Sequence, residues 1–249
     1  MTTFQAYCKV SIAPVRKEAK DQSEIVTQLL FGEIITVHEI NEPWALIETM
    51  NDAYKGYIDF KHFGKLTEKE VRRWNEGLGY LRDRERMIKT PWGTQRICRG
   101  SFIPENLKEF SIGNDQFELI GESTENLQSP IEYAHDYINT PYLWGGKSPF
   151  GIDCSGITQV IYRLFDINLP RDASEQVLIG NDVEFDDIQS GDLAYFDKNG
   201  KVTHVGILDG EGGIIHAAGH VRLDKFTRDG IIHSSKGILT HSLTCIKRI

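Results

Sequence analysis

A chain of 249 residues can hold one large domain or two to three small ones, and its 40% hydrophobic and 26% charged fractions are those of a globular protein. The formal charge of −8 argues against nucleic acid or an anionic membrane as the main partner. Cys8, Cys98, Cys154 and Cys245 are scattered without a CxxC pair, which argues against a disulfide framework or a zinc cluster and for free thiols. No basic stretch followed by an apolar core opens the chain and no apolar run reaches membrane-spanning length, so the expectation is a cytoplasmic protein.

Residues 1–64 carry short β-branched runs broken by turn residues: Lys9–Ile12, Ile34–His38, Trp44–Glu48 and Gly56–Ile58. This spacing predicts a small β-barrel. In residues 65–127, Thr67-Glu-Lys-Glu70 is a capping box that opens a short helix through Val71 and Trp74. Strand-like pieces resume at Met87-Ile88, Arg96–Cys98, Ser101–Ile103 and Phe117–Ile120, which predicts a second barrel with a helical insertion. Residues 128–249 open on Ser129-Pro130-Ile131-Glu132, an N-cap serine with proline at the first helical position and glutamate three residues past the cap. Ile131, Ala134 and Ile138 fall on one face of that helix. A second helix starts at Asp153 or Cys154 with a buried stripe of Ile157, Val160, Ile161, Leu164 and Phe165. Asp172-Ala-Ser-Glu175 reads as a third helix start. Leu193–Phe196 and Val202–Leu208 then flank a hairpin turn at Lys198-Asn199-Gly200, and Ile214–Ala217 and Leu243–Ile249 read as further strands. Helices followed by an antiparallel sheet make an α+β plan.

The chemistry concentrates on Cys154 and two downstream histidines. At a helix start, unpaired N–H groups and the helix dipole favour a thiolate, while the adjacent Asp153 opposes it. The alternative is a buried, inert cysteine. His204 and His216 lie in strands at an even separation, so both point to one face of a sheet. A turn centred near Gly210 would set them opposite each other, with the Cys154 helix packed above. His204 then reads as general base and His216 as the group that orients it. His38, His62, His135, His220, His233 and His241 read as surface or loop residues. No cysteine or carboxylate falls at a metal-ligand spacing, so neither metal nor cofactor is expected. Tyr142 could donate to an oxyanion beside the Cys154 N–H, or simply pack, as could Trp144. Gly145-Gly146 would let the backbone approach a ligand closely.

Ala13-Pro14-Val15-Arg16, Gly32-Glu33 and Tyr54-Lys-Gly56-Tyr57-Ile58 resemble the bacterial SH3-like modules often joined to wall hydrolases. Pro141-Tyr-Leu-Trp-Gly-Gly, Gly151-Ile-Asp-Cys154-Ser-Gly, Pro170-Arg-Asp-Ala-Ser174-Glu-Gln, Ser190-Gly-Asp-Leu-Ala-Tyr-Phe, Thr203-His204-Val-Gly-Ile and Ile215-His216-Ala-Ala-Gly resemble the NlpC-type peptidoglycan endopeptidases. That resemblance implies a papain-like catalytic domain, helices on an antiparallel sheet, with Cys154, His204 and His216 as its triad. The layout is similar to the subgroup that cuts the γ-D-glutamyl–L-diamino acid bond of murein stem peptides. Members of that subgroup require a free L-alanine amine. By the same resemblance Asp153, Ser155 and Ser174 would hold that amine, with Tyr54 or, less directly, Glu48 from the first module. The implied partner is a murein peptide, in cell-wall recycling. Rival readings are an amidase or acyltransferase on the same core and a non-catalytic wall-binding protein.

Overall fold

The computed structural model describes residues 3–123 and 125–249; Met1, Thr2 and Thr124, which fall within the expected segments 1–64 and 65–127, lie outside it. The chain forms two compact units, residues 1–125 and 126–249. Among the described residues no helix is long and apolar enough to cross a membrane.

The first unit begins with seven strands: β1 (Phe4–Cys8), β2 (Ile12–Arg16), β3 (Ile25–Leu30), β4 (Ile34–Asn41), β5 (Trp44–Thr49), β6 (Lys55–Asp59) and β7 (Phe63–Leu66). They form one sheet in the order β3-β2-β6-β5-β4-β1-β7. Strict alternation along β5 turns Ala45, Ile47 and Thr49 inward, onto a core with Ala13, Val15, Val37 and Ile58. The run Lys9–Ile12 is not a strand. It carries the chain from β1 to β2, with the Lys9 N–H donating to His62. Helix α1 (Glu68–Asn75) follows, capped reciprocally by Thr67 and Glu70, with Val71 and Trp74 buried.

Six further strands complete this unit: β8 (Leu78–Tyr80), β9 (Glu85–Thr90), β10 (Gly93–Cys98), β11 (Phe102–Pro104), β12 (Glu109–Ile112) and β13 (Asp115–Leu119). They pair as β10-β9-β13-β12 and β11-β8. The helix precedes these strands instead of interrupting them. One core joins Tyr7, Phe31, Ile34 and Leu66 to Val71, Trp74, Phe110 and Phe117, so a boundary at residues 64/65 would cut through shared packing. Each such side chain contributes roughly 1.5–3 kcal/mol on burial, which binds the two parts into one unit.

The second unit contains α2 (Pro130–Asp136), β14 (Lys147–Ser148), β15 (Gly151–Ile152), α3 (Cys154–Arg163), α4 (Ala173–Gln176), β16 (Asn181–Asp182), β17 (Leu193–Lys198), β18 (Lys201–Leu208), β19 (Gly213–Ala218), β20 (His220–Thr227), β21 (Gly230–Ile232) and β22 (Leu239–Arg248). Its large sheet runs β16-β22-β17-β18-β19-β20-β21, and β21 pairs back onto β22. Six strands therefore close into a barrel around Phe196, Leu208, Ile214, Phe226, Ile231 and Ile246. Asn199 and Gly200, both at positive φ, make the tight turn between β17 and β18.

Helix α3 packs on β18 and β19, and every residue of it is buried. That is why its apolar stripe understates its burial: Thr158, Gln159 and Arg163 are inside as well. Two local expectations change. The buried face of α2 is Tyr133, Ala134 and, at its C-cap, Tyr137, because Ile131 and Ile138 are only half-buried. Asp172 stands at the N-cap of α4 but its side chain makes no capping bond.

Candidate active site

Cys154 is the first residue of α3, and Asp153 is its N-cap, accepting from the Gly156 N–H at 2.7 Å. The preceding loop is stitched in from both sides. The Tyr142 N–H donates to Gly219 at 3.0 Å, and the Leu143 N–H donates to Ile152 at 3.2 Å. Gly156 is required by close approach: a Cβ there would lie 2.2 Å from the Gly146 carbonyl oxygen. The glycines at 145–146 thus serve contacts within the loop, and Gly145 donates to Asp153 at 2.8 Å.

Arg171 fixes this helix start. Its Nη1 and Nη2 donate to the two Asp153 carboxylate oxygens at 3.0 and 2.5 Å, and Nη1 also reaches the Ser155 hydroxyl at 2.9 Å. All three side chains are almost fully buried. With Gly145 and Gly156 also donating, both Asp153 oxygens carry a full set of partners. Asp153 and Ser155, expected to receive a substrate amine, also hold the loop, so an ammonium there would enter a carboxylate already shared with Arg171.

The Cys154 sulfur faces the β18 backbone on either side of residue 204, 4.0 Å from the Thr203 carbonyl oxygen and within reach of the Val205 N–H. Burial, reinforced by the Asp153 charge, pushes its thiol up to about 12, against the lowering pull of Val205, Arg171 and Ser155. The helix dipole does not prevail, and the resting form is a neutral thiol. Tyr142 is half-buried near the sulfur. Burial, then the charges of Cys154 and Asp153, push its phenol up to about 12, so it is present as a hydrogen-bond donor.

The pairing Ile207↔Ile215 centres the β18–β19 turn on residue 211, so His216 stands opposite Gly206 and not opposite His204. The one-residue shift of the turn keeps both histidines on one face and makes them diagonal neighbours. Gly206 permits this, since a Cβ there would lie 3.0 Å from the His216 Cβ. His204 Nε2 and His216 Nδ1 are 2.8 Å apart, and His216 Nε2 is 3.0 Å from Asp224 Oδ2.

These contacts determine the tautomers. Asp224 also accepts from Arg222 Nε at 2.7 Å and from the Ser234 N–H at 2.8 Å. Burial alone would raise its pKa, but those bonds hold it well below the ordinary carboxylate range. As a carboxylate it can only accept, so His216 carries its proton on Nε2 and presents a lone pair at Nδ1. His204 must then donate from Nε2, which leaves Nδ1 unprotonated. Burial depresses both imidazoles. His216 falls to about 4 despite Asp224, and His204 lies well below its ordinary value, helped by His216, His241 and Arg222. The result is a neutral, oriented imidazole with its Nδ1 lone pair free of a proton.

Asp224 and His241 escaped the sequence reading. Asp224 is buried on β20 while its neighbour Leu223 is 40% exposed, a reversal of the hydropathic alternation that marks strands. The signal available was its place two residues from Arg222, which pairs with His216 across β19 and β20. His241, read as a surface or loop residue, is on β22 and stacks on His204 with ring centroids 4.3 Å apart and an interplanar angle of 22°. Strand β22 starts at Leu239 because β21 closes the barrel onto it, a tertiary event without a local signature.

Of the other expected residues, Ser174 is half-buried on α4, which packs against β18, and Trp144 is 59% exposed. Tyr54 and Glu48 belong to the first unit. The Tyr54 N–H caps the Thr49 hydroxyl at 2.8 Å, and Glu48 pairs with His38 at 2.9 Å and Lys55 at 3.4 Å.

Known proteins resemble both units of the chain. The NlpC/P60 family profile matches residues 139–239, and that of the bacterial dipeptidyl-peptidase SH3 domain matches residues 15–63. A probable endopeptidase of Haemophilus influenzae is 37% identical over 134 residues, covering 50% of this chain and 78% of that protein. The chain belongs to the NlpC/P60 family. A γ-D-glutamyl-L-lysine dipeptidyl-peptidase of Bacillus subtilis is 40% identical over 101 residues, 39% of this NlpC/P60 chain. The match spans only 34% of that enzyme's length. A solved NlpC/P60 family protein from Bacillus cereus shares the fold at a TM-score of 0.78 and 19% identity, over 98% of this chain and 99% of that one.

Proposed function

We propose that the protein is a cysteine endopeptidase that hydrolyses the γ-D-glutamyl–L-diamino acid bond of murein stem peptides with a free N-terminal L-alanine. The observation that carries the reading is the chain Asp224–His216–His204, which leaves His204 Nδ1 unprotonated on the strand whose backbone the Cys154 sulfur approaches. A wall-binding protein has no use for such an arrangement. The γ-D-glutamyl bond is favoured by the B. subtilis relative, and the free amine by an SH3 profile named for dipeptidyl-peptidases. Such enzymes act from the amino terminus.

In the proposed cycle His204 Nδ1 takes the thiol proton as sulfur attacks the γ-carbonyl of D-glutamate. The oxyanion is held by the Cys154 N–H and the Tyr142 hydroxyl, and one such donor is worth about 3–4 kcal/mol. His204 then protonates the departing α-amine of the diamino acid, and the C–N bond breaks. Water, deprotonated by His204, releases L-Ala-D-Glu from the thioester. Ser174, Asp153 and Ser155 are the proposed amine contacts of the second unit. Trp144 offers an exposed apolar face for the peptide.

The test is mass spectrometry of L-Ala-γ-D-Glu-meso-diaminopimelate, and its L-lysine counterpart, incubated with the protein beside the N-acetylated peptides. Release of L-Ala-D-Glu from the free-amine peptides alone is the expected result and fits peptide recycling. Equal cleavage of both forms would remove the amine pocket. Cleavage of none would favour the amidase or acyltransferase chemistry instead.

A further inference from the structure

His204, His216 and His241 come from three strands, β18, β19 and β22, and one ring nitrogen from each lies within 4.8 Å of the other two. Only the first two serve the base. We propose that the three imidazoles form a reversible, inhibitory site for a divalent transition metal of the Zn2+ class. Residue spacing does not show the set, because the third histidine arrives only through barrel closure.

The donor chemistry fits. Imidazole nitrogens are borderline ligands suited to Zn2+, and a three-histidine set leaves a fourth position for water. His216 already has the outer support that metal-bound histidines use: its Nε2–H is held by Asp224, itself fixed by Arg222 and Ser234, so Nδ1 is pre-aimed as a lone pair.

Modest movement completes the geometry. Tetrahedral bonds of about 2.0–2.1 Å set neighbouring nitrogens roughly 3.3 Å apart. The His204–His216 pair, at 2.8 Å, has to open by about half an ångström, and the contacts to His241 have to close by at most about 1.5 Å. His241 supplies most of that motion by turning out of its stack on His204. It is only half-buried, and it can keep Nδ1 toward the Thr240 hydroxyl, 3.0 Å away, while offering Nε2.

Inhibition follows from proton placement. A metal on His204 Nε2 takes the lone pair of that nitrogen, so the ring proton moves to Nδ1. The nitrogen that should receive the thiol proton becomes a donor. No electron is transferred, and removal of the metal returns the proton to Nε2. The inhibitory consequence rests on the function proposed above, whereas binding itself does not.

The experiment adds Zn2+ alone to the full chain and reads stoichiometry by native mass spectrometry and affinity by calorimetry. The visible absorption of a Co2+ derivative reports coordination. One ion per chain, released by a chelator, is expected, with a tetrahedral Co2+ spectrum. His241→Asn should weaken binding by about 10–100-fold, and Cys154→Ala should retain it. His241→Phe, which keeps a stacked ring without a nitrogen ligand, should weaken it equally and separates ligand loss from lost packing. No binding, or binding untouched by both His241 variants and lost in Cys154→Ala, would overturn the site. Metal binding by a protein that cleaves no peptide would leave the site standing and remove the peptidase reading.

Discussion

Two buried polar networks flank Cys154, and they are built on opposite principles. At the helix start, Asp153, Arg171 and Ser155 make a charge-balanced cluster in which both carboxylate oxygens are saturated. On the barrel, His204 and His216 are neutral rings strung on one anchored carboxylate. The first network is closed by its own hydrogen bonds and holds the loop against α3. The second holds one movable proton position, His204 Nδ1, and the proposed mechanism uses it as the base. Burial of polar groups alone therefore does not mark a catalytic residue; the direction of the hydrogen bonds does.

The sharpest way to break this contrast is to remove one member from each side. Cys154→Ala should lower turnover at least about 10⁴-fold while the melting temperature stays close to that of the parent. Retained hydrolysis would sink the assignment. Arg171→Met should do the reverse in kind: it leaves the Asp153 charge buried without its partner and costs about 3–5 kcal/mol of stability in urea unfolding. The double variant Arg171→Met with Asp153→Asn should recover part of that loss. Asp224→Asn tests the relay from its far end. An amide donor facing His216 favours the opposite tautomers down to His204, and kcat should fall by about 10²–10³, less than the ~10⁴ of an orienting group bonded directly to the base.

Acidity sharpens the comparison further. The base is active when neutral, and burial depresses His204 below its ordinary value. The acid limb of kcat/KM should therefore fall below pH 6.5, the ordinary value for histidine. Stability follows the same groups. His216 drops from 6.5 to about 4 on folding, so between those values the unfolded chain binds more protons. Its contribution is complete above pH 6.5 and is lost as pH falls toward 4, which urea midpoints across that window will read. The smallest expected effect is Ser174→Ala, a rise in KM of a fewfold for the free-amine peptide with kcat unchanged.

Much of this was legible in residue order. The helix start at Cys154, the even spacing of His204 and His216, the Asn199-Gly200 turn and the capping boxes at Thr67 and Ser129 are local signals, and local physics produces them. The rest depends on contacts between distant segments. A turn centred one residue later than expected set the two histidines on a diagonal. Asp224 sits on an inward face where hydropathy calls for an apolar side chain. His241 joined the cluster only because β21 closed the barrel onto β22. In the first unit, a core shared between the sheet and the strands beyond α1 carries no mark in either segment.

The central claim concerns where the protons are, and nitrogen NMR of the histidine rings reads that directly. At pH 7 the account predicts His216 and His204 both neutral and both protonated at Nε2, with His204 Nδ1 bare. An imidazolium at His204, or a proton on its Nδ1, would contradict it.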